Sequence, residues 1–224
     1  MCGRFTLTIE PGQLQSAFPW VEFPEDLTPR YNVAPSQPVG VVPNNGLNRF
    51  EYYVWGLIPH WAKPGSSVNG FINARAETLA EKPTFRTSFR KKRCLILADG
   101  FYEWKADPSR KLKTPYYIKL KSGQPFAFAG LWDSWNNKEG SEIRSCSIIT
   151  TQPNELMQQI HNRMPVILAS EHYEQWLSPG DRSPDELSGF LVPYPAEEMI
   201  AYPVSKAVNS PQNDTPECIR PLAW

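Results

Sequence analysis

Residues 94–104 read CLILADGFYEW, two apolar runs separated by Asp-Gly. Cys94–Leu97 and Phe101–Trp104 are short, apolar or aromatic, and bounded by turn-forming residues, a pattern typical of β-strands. Because side chains alternate along a strand, Phe101 and Glu103 share one face. A carboxylate among aromatic side chains is partly desolvated, which raises its pKa and suits it to proton transfer. The alternative is a solvated glutamate on an edge strand, since Glu is rarely buried.

The strand pattern extends outward from this stretch in both directions. Pro43–Gly46 predicts the turn of a β-hairpin between Val39–Val42 and Arg49–Trp55. Further runs of the same kind are Tyr116–Leu120, Phe126–Leu131 and Ile143–Thr150. Strands therefore dominate the predicted secondary structure.

Fewer segments carry helix signals. Ser183–Glu186, SPDE, is a capping box with Pro at the first helical position, and it predicts a helix that ends near Phe190. Pro153–Ile160 and Ser170–Leu177 predict two more short helices. Together these elements predict an α+β fold, a single β-rich domain over residues 1–224 with mostly antiparallel pairing.

Composition and charge bear on the class of protein. The chain has 224 residues, 41% of them hydrophobic, with 23 Lys plus Arg against 23 Asp plus Glu. With equal numbers of positive and negative residues the whole chain does not attract a polyanion electrostatically, although a local basic groove would still bind a polyanion. No apolar run approaches the roughly 20 residues of a membrane helix, and the start lacks the apolar stretch of a signal peptide. We therefore expect a cytoplasmic protein with no membrane contact.

None of the four cysteines forms a C-x-x-C pair, and the three histidines complete no zinc motif. So few cysteines in a chain of this length do not indicate a disulfide framework. We expect neither a metal nor a cofactor, and we interpret Cys94 and Cys146 as packing residues. The basic run Arg90–Arg93 is interpreted as a solvated loop that leads into the next strand.

Cys2 carries the strongest chemical signal. A Met that precedes a small residue is commonly removed, and Cys2 would then bear a free α-amine beside its thiol. The pKa of an α-amine is about 7.7–8.0, so a useful fraction is neutral near pH 7 and can attack an aldehyde to form a Schiff base. The neighbouring thiol can then close on the imine carbon to give a five-membered thiazolidine. The simpler interpretation of Cys2 is a small apolar residue near a chain end.

Six segments in a fixed order give a more specific indication. They are MCGRF at 1–5, RYNVAP at 30–35, WGLIPHW at 55–61, INARAET at 72–78, ADGFYEW at 98–104 and IHNRMPVIL at 160–168. In this order and spacing the chain resembles the SRAP (SOS-response-associated peptidase) family, from Cys2 to about Asn209. Leu97 and Asn162 depart from that pattern, where Pro and Asp are frequent, and neither is given a chemical role.

The resemblance implies a fold, a reaction and a partner. The fold is a β-rich, barrel-like single domain. The reaction is a covalent crosslink between Cys2 and the ring-opened sugar of an abasic site, after self-removal of Met1. The partner is single-stranded DNA that contains abasic sites, bound by a monomer in the cytoplasm, associated with the nucleoid when on DNA.

The resemblance also implies roles for individual residues. Glu103 would exchange protons with the amine and the departing hydroxyl, His161 would protonate the sugar oxygen, and Asn73 would orient the sugar or the cysteine. Arginine suits phosphate because its planar fork binds it bidentately, and an apolar wedge can stack against flanking bases. The resemblance implies phosphate contacts at Arg4, Arg75 and Arg163. It implies a wedge made by Pro35 and Trp61.

Simpler interpretations of these residues stay open. His161 could be a helix-end histidine favoured by the helix dipole, and Asn73 a turn-capping residue. The arginines could form surface salt bridges, and Trp61 could belong to the core or its rim.

Three other functions compete with the covalent capture of DNA. Met-Cys-Gly also opens N-terminal-nucleophile amidohydrolases, whose cysteine thiolate attacks an amide, but their His-Arg-Gly-Pro and Asn-Gly-Glu segments do not occur here. A cysteine peptidase acting in trans could use Cys2 and His161 as a thiol–imidazole pair. A non-catalytic single-strand binding module would keep its DNA affinity without Cys2.

Overall fold

Strands make up most of the regular structure in the computed structural model, which describes residues 2–63, 70–107, 112–136 and 140–222. Its strands are β1 (Phe5–Leu7), β2 (Arg30–Val33), β3 (Pro38–Pro43), β4 (Glu51–Trp55), β5 (Asn73–Arg75), β6 (Arg93–Ala98), β7 (Gly100–Ala106), β8 (Lys113–Leu120), β9 (Phe126–Asn136), β10 (Glu142–Thr151), β11 (Met164–Pro165), β12 (Ile167–Leu168) and β13 (Met199–Pro203). Its α-helices are α1 (Pro11–Ala17), α2 (Arg86–Lys91), α3 (Glu155–Gln158), α4 (Tyr173–Leu177) and α5 (Pro184–Ser188). Short 3-10 helices are Ala76–Thr78, Ser170–His172, Ala196–Glu198, Lys206–Asn209 and Pro216–Ile219.

Five strands close into a ring. β3 pairs with β4 and β6, β6 pairs with β9, β9 pairs with β10, and β10 returns to β4. Only β10–β4 is parallel within the ring, and β5 adds a second parallel partner to β10. Closure leaves these strands without a free sheet edge. The predicted α+β class and the barrel-like, mostly antiparallel sheet are confirmed.

A second sheet, in the order β13-β8-β7-β1-β2, packs on this barrel. Phe5 of β1 connects the two, because its ring lies 5.1 Å from that of Trp55 in β4 and 5.8 Å from that of Phe128 in β9. Cys2 and Phe101 belong to the same buried cluster. The start of the chain is therefore held between the second sheet and the barrel.

Most predicted elements are present with shifted ends. The hairpin is confirmed, but β4 begins only at Glu51, so its loop is longer than Pro43–Gly46, and Gly46 adopts a φ of 81° within it. The other predicted strands lie within β6 to β10. The three predicted helices contain α3, α4 and α5; the first turn of the second one is 3-10, and α5 ends at Ser188. None of the helices in the described part of the chain is long and apolar enough to cross a membrane.

The interpretation of the basic run as a solvated loop is wrong. Arg90 and Lys91 end α2, and Arg93 begins β6 with no exposed surface. Neither α1 nor α2 has a side chain that caps its first turn. The sequence therefore carries no capping signal for either helix, although Pro11 stands at the first position of α1, and neither helix was predicted.

Candidate functional site

Pairing of the first strand with β7 places Cys2 near Glu103. The two strands run antiparallel with Phe5 opposite Phe101, so residues before Phe5 approach residues after Phe101. The backbone N–H of Tyr102 donates to the carbonyl of Arg4 at 2.9 Å, which continues the pairing toward Cys2. Cys2 is fully buried. Residues 101 positions apart in the sequence are thus neighbours in the fold.

Burial changes the acidity of both side chains. It raises the pKa of the Glu103 carboxyl, which is 2% exposed. Burial also raises the pKa of the Cys2 thiol, and the nearby Glu103 carboxylate raises it further. A thiol with a raised pKa stays uncharged at neutral pH, and the thiolate is the reactive form. This environment disfavours direct thiolate attack, and a carboxyl group with a raised pKa is better suited to proton exchange than a solvated one.

His161 faces the same carboxylate from another element. It lies just beyond α3, and its backbone N–H donates to the carbonyl of Met157 at 2.8 Å. Its Nδ1 accepts the backbone N–H of Arg163 at 3.1 Å, so the proton of a neutral ring is on Nε2. That Nε2 lies 4.0 Å from Oε2 of Glu103. The ring is therefore oriented with its N–H toward the site.

Asn73, the first residue of β5, holds the backbone of Cys2. Its Nδ2 donates to the Cys2 carbonyl at 2.9 Å. Its Oδ1 is buried and accepts no hydrogen bond from the described residues. An unsatisfied buried acceptor costs about 1–3 kcal/mol, so this oxygen is poised to accept a donor that is brought into the site.

The three predicted phosphate contacts have different surroundings. Arg4 donates to Oδ1 of Asn32 and to two backbone carbonyls of the Lys206–Asn209 helix. Arg163 forms an ion pair with Glu77 at 2.6 Å and donates to the carbonyl of Thr150. The exposed Arg75 has no ion-pair partner among the described residues. Two guanidinium groups are thus engaged within the protein and one is available; phosphate binding stays a prediction for all three.

The predicted wedge residues lie in anchored loops. Trp61 is 56% exposed, and its loop is held by a hydrogen bond from the backbone N–H of His60 to Asp133 at 2.8 Å. Burial alone would raise the pKa of Asp133, but hydrogen bonds from Lys92 and His60 outweigh it, so the pKa is lowered. Pro35 is half-buried in the turn after β2. Base stacking by Trp61 and Pro35 stays a prediction.

The structure therefore brings together four of the predicted residues, namely Cys2, Asn73, Glu103 and His161. Sequence reasoning missed the supporting contacts of Glu77 and Asp133, because each partner lies far along the chain and no local pattern marks it. Among the described residues, no group of three His, Cys, Asp or Glu side chains is arranged to hold a metal ion.

Comparisons with known proteins agree with this arrangement. Residues 1–211 match the family model described as SOS response associated peptidase (SRAP). The chain is 53% identical over 223 residues to abasic site processing protein YoqW of Bacillus subtilis, covering 98% of this chain and 99% of that one. It is 33% identical over 196 residues to abasic site processing protein HMCES of Rattus norvegicus, covering 75% and 55% of the two chains. A crystal structure of a protein from Bacteroides thetaiotaomicron superposes with a TM-score of 0.87 at 29% identity, covering 99% of this chain and 100% of the other.

Proposed function

This chain belongs to the SOS response associated peptidase (SRAP) family, and from that membership we propose that it captures abasic sites in single-stranded DNA through a covalent bond to Cys2. Relatives of bacterial and mammalian origin carry the name abasic site processing protein, which supports DNA with abasic sites as the substrate. The observation that carries the proposal is the burial of Cys2 against Asn73 and Glu103.

The proposed reaction begins with hydrolysis of the Met1–Cys2 peptide bond, which consumes one water, releases free methionine and would be performed by the same site on its own chain. The freed α-amine of Cys2 attacks the aldehyde of the ring-opened sugar to give a carbinolamine. Loss of water gives an imine, whose carbon the Cys2 thiol attacks, and the thiol proton passes to the nitrogen. The product is a thiazolidine that joins protein and DNA, and the first bond formed is a Schiff base as in lyase chemistry.

The surrounding side chains supply the proton transfers. Glu103 has a raised pKa, so its carboxyl can accept a proton from the attacking amine and return it to the departing hydroxyl. Nε2–H of His161 is directed at the same region and would donate to the sugar ring oxygen as the ring opens. The free Oδ1 of Asn73 would accept a hydrogen bond from the amine or a sugar hydroxyl.

The rival thiol reactions receive less support. A cysteine amidohydrolase or a peptidase acting in trans needs a thiolate in every turnover, whereas burial keeps the Cys2 thiol protonated. Self-removal of Met1 needs only one turnover. Capture through the amine requires no thiolate in its first step. We further propose that the protein acts as a monomer in the cytoplasm, associated with the nucleoid when it is bound to DNA.

The test is adduct formation with uracil-glycosylase-treated single-stranded DNA, followed by denaturing gels and intact-mass measurement. We expect an adduct that survives heat and SDS, and a protein component that lacks Met1. Cys2→Ala should abolish the adduct, as should any extension that blocks Met1 removal. Cys218→Ser is the matched control, because Cys218 is buried in a different cluster and its Sγ donates to the carbonyl of Asn213. An undiminished adduct in Cys2→Ala would contradict the proposal, and glutaminase or peptide turnover would favour the rivals.

A further inference from the structure

Lys105 continues the face of β7 that carries Glu103. The two residues are two positions apart in one strand, so their side chains point to the same side and their Cα atoms are about 6.7 Å apart. Along this face Phe101 and Glu103 are buried and Lys105 is exposed. Lys105 therefore marks the solvent end of the face that forms the site.

Tyr116 fixes the position of the Lys105 ammonium. It lies directly opposite Glu103 in the neighbouring strand β8, and its side chain packs against the buried cluster that contains Cys2. The Nζ atom of Lys105 lies 5.9 Å from the centroid of the Tyr116 ring. Such a cation–π contact restrains the ammonium without using an acidic partner.

Lys105 also has no ion-pair partner among the described residues, unlike Arg163, which Glu77 neutralises. Its N–H groups are therefore available to an anion from solvent. Because the whole chain has a net charge of zero, attraction to a phosphate backbone has to come from local cations of this kind.

We propose that Lys105, held over the Tyr116 ring, binds a backbone phosphate of the single strand beside the abasic nucleotide. The proposal rests on the DNA-processing function above, and it adds a phosphate subsite on the Glu103 side of the reacting groups. Arg75, two residues after Asn73, lies on the other strand that enters the site and carries the second available cation. The bound strand would then have a cationic contact beside each of the residues Asn73 and Glu103.

The test separates binding from chemistry by using an oligonucleotide that has no abasic site. Its affinity for the wild-type protein and for Lys105→Gln is measured by fluorescence anisotropy between 50 and 200 mM salt. For single strands, loss of one phosphate contact lowers the slope of log affinity against log salt by about 0.7. The variant should therefore lose about threefold more affinity at 50 mM than at 200 mM salt, while Lys105→Arg should restore the wild-type slope.

Lys121→Gln is the matched control, since it removes the same charge from an exposed residue just beyond the other end of β8. Lys121→Gln should leave both the salt slope and the rate of adduct formation at their wild-type values. A salt slope for Lys105→Gln equal to that of Lys121→Gln would overturn the subsite and leave the covalent function intact. If Lys105→Gln lowers the salt slope as expected but the wild-type protein forms no adduct, the covalent function alone would be overturned. A wild-type protein that binds no DNA would overturn both the subsite and the covalent function.

Discussion

Arg93 and Glu103 are both charged and almost fully buried, yet their surroundings differ in kind. Arg93 donates to carbonyls at the ends of two helices, those of Phe89 and Arg90 in α2 and those of Trp176 and Ser178 at α4. Carbonyls at a helix end have no hydrogen-bond donor within their own helix, so one guanidinium supplies donors to the C-terminal carbonyls of both α2 and α4. Although burial lowers the pKa of Arg93 to about 10, it remains charged at neutral pH.

Glu103 is surrounded instead by groups that react or titrate. The Glu103 carboxylate is close enough to the Cys2 thiol to raise the pKa of that thiol, and Nε2 of His161 is 4.0 Å from the carboxylate. Burial raises the pKa of Glu103, so the fold disfavours its charged form. We expect the buried charge of Arg93, which has several backbone partners, to serve stability, and we expect the buried carboxyl of Glu103, which lies near Cys2 and His161, to serve the proposed chemistry.

The largest expected effect is the loss of rate in Glu103→Gln. An amide cannot exchange protons with the amine of Cys2, so adduct formation should slow by about 10²-fold or more. Single-turnover kinetics with abasic single-stranded DNA would measure this. A rate within a factor of two of wild type would remove Glu103 from the mechanism.

Although Glu103→Gln should slow adduct formation, it should raise the free energy of unfolding at alkaline pH. Because the folded-state pKa of Glu103 is raised, its contribution to stability is present below the unfolded pKa of about 4.3 and is lost as pH rises through the folded pKa. Glu103→Gln should therefore match the wild-type free energy of unfolding near pH 4 and exceed it near pH 8. Urea unfolding of the wild type and of Glu103→Gln at pH 4 and pH 8 would measure this difference. A lower free energy of unfolding of the variant at pH 8 would contradict the raised pKa of Glu103.

Arg93→Met should lower the stability of the protein and leave the rate of adduct formation unchanged. The substitution removes the Arg93 donors from the carbonyls of Trp176 and Ser178 at α4 and of Phe89 in α2. The carbonyl of Arg90 keeps the backbone N–H of Arg182 at 3.0 Å. Loss of the donors should cost about 1–3 kcal/mol in the free energy of unfolding. Adduct formation by the remaining folded protein should be unchanged. Arg90→Met is the control, because Arg90 is half exposed and its pair with Asp181 is worth about 0–1 kcal/mol. Equal stability of the two variants would refute the double-capping role.

A smaller effect is expected from a second buried carboxylate, Asp99, which lies four residues before Glu103. It accepts hydrogen bonds from the hydroxyl of Thr6 at 2.5 Å, from the backbone N–H of Thr8 at 3.0 Å and from the hydroxyl of Thr8. Asp99→Asn should lower the free energy of unfolding by about 1–2 kcal/mol and leave the adduct rate unchanged. Thermal unfolding and single-turnover kinetics would test both parts. A slower rate of adduct formation in Asp99→Asn would mean that the hydrogen-bond partners of a buried carboxylate do not tell a structural role from a reactive one.

Local patterns in the sequence were sufficient to predict β3, β4 and β6 to β10, and they singled out Cys2 as the candidate reactive residue. Alternation along Phe101–Trp104 placed Glu103 on the buried face with Phe101, and the structure agrees. The missed helices show the limit of such patterns. Neither α1 nor α2 has a capping side chain, and the carbonyls at the end of α2 are satisfied by Arg93 from the following strand.

By itself the sequence determined that a cysteine stands at position 2 and that β3 and β4 form a hairpin, because both depend on residues close together in the chain. Only the tertiary structure decided which charges are engaged. Arg4 is tied to the Lys206–Asn209 helix and Arg163 to Glu77, while Arg75 and Lys105 stay available. Partners of a charge are chosen across the fold, where burial and distance set the energy, and no spacing along the chain encodes them.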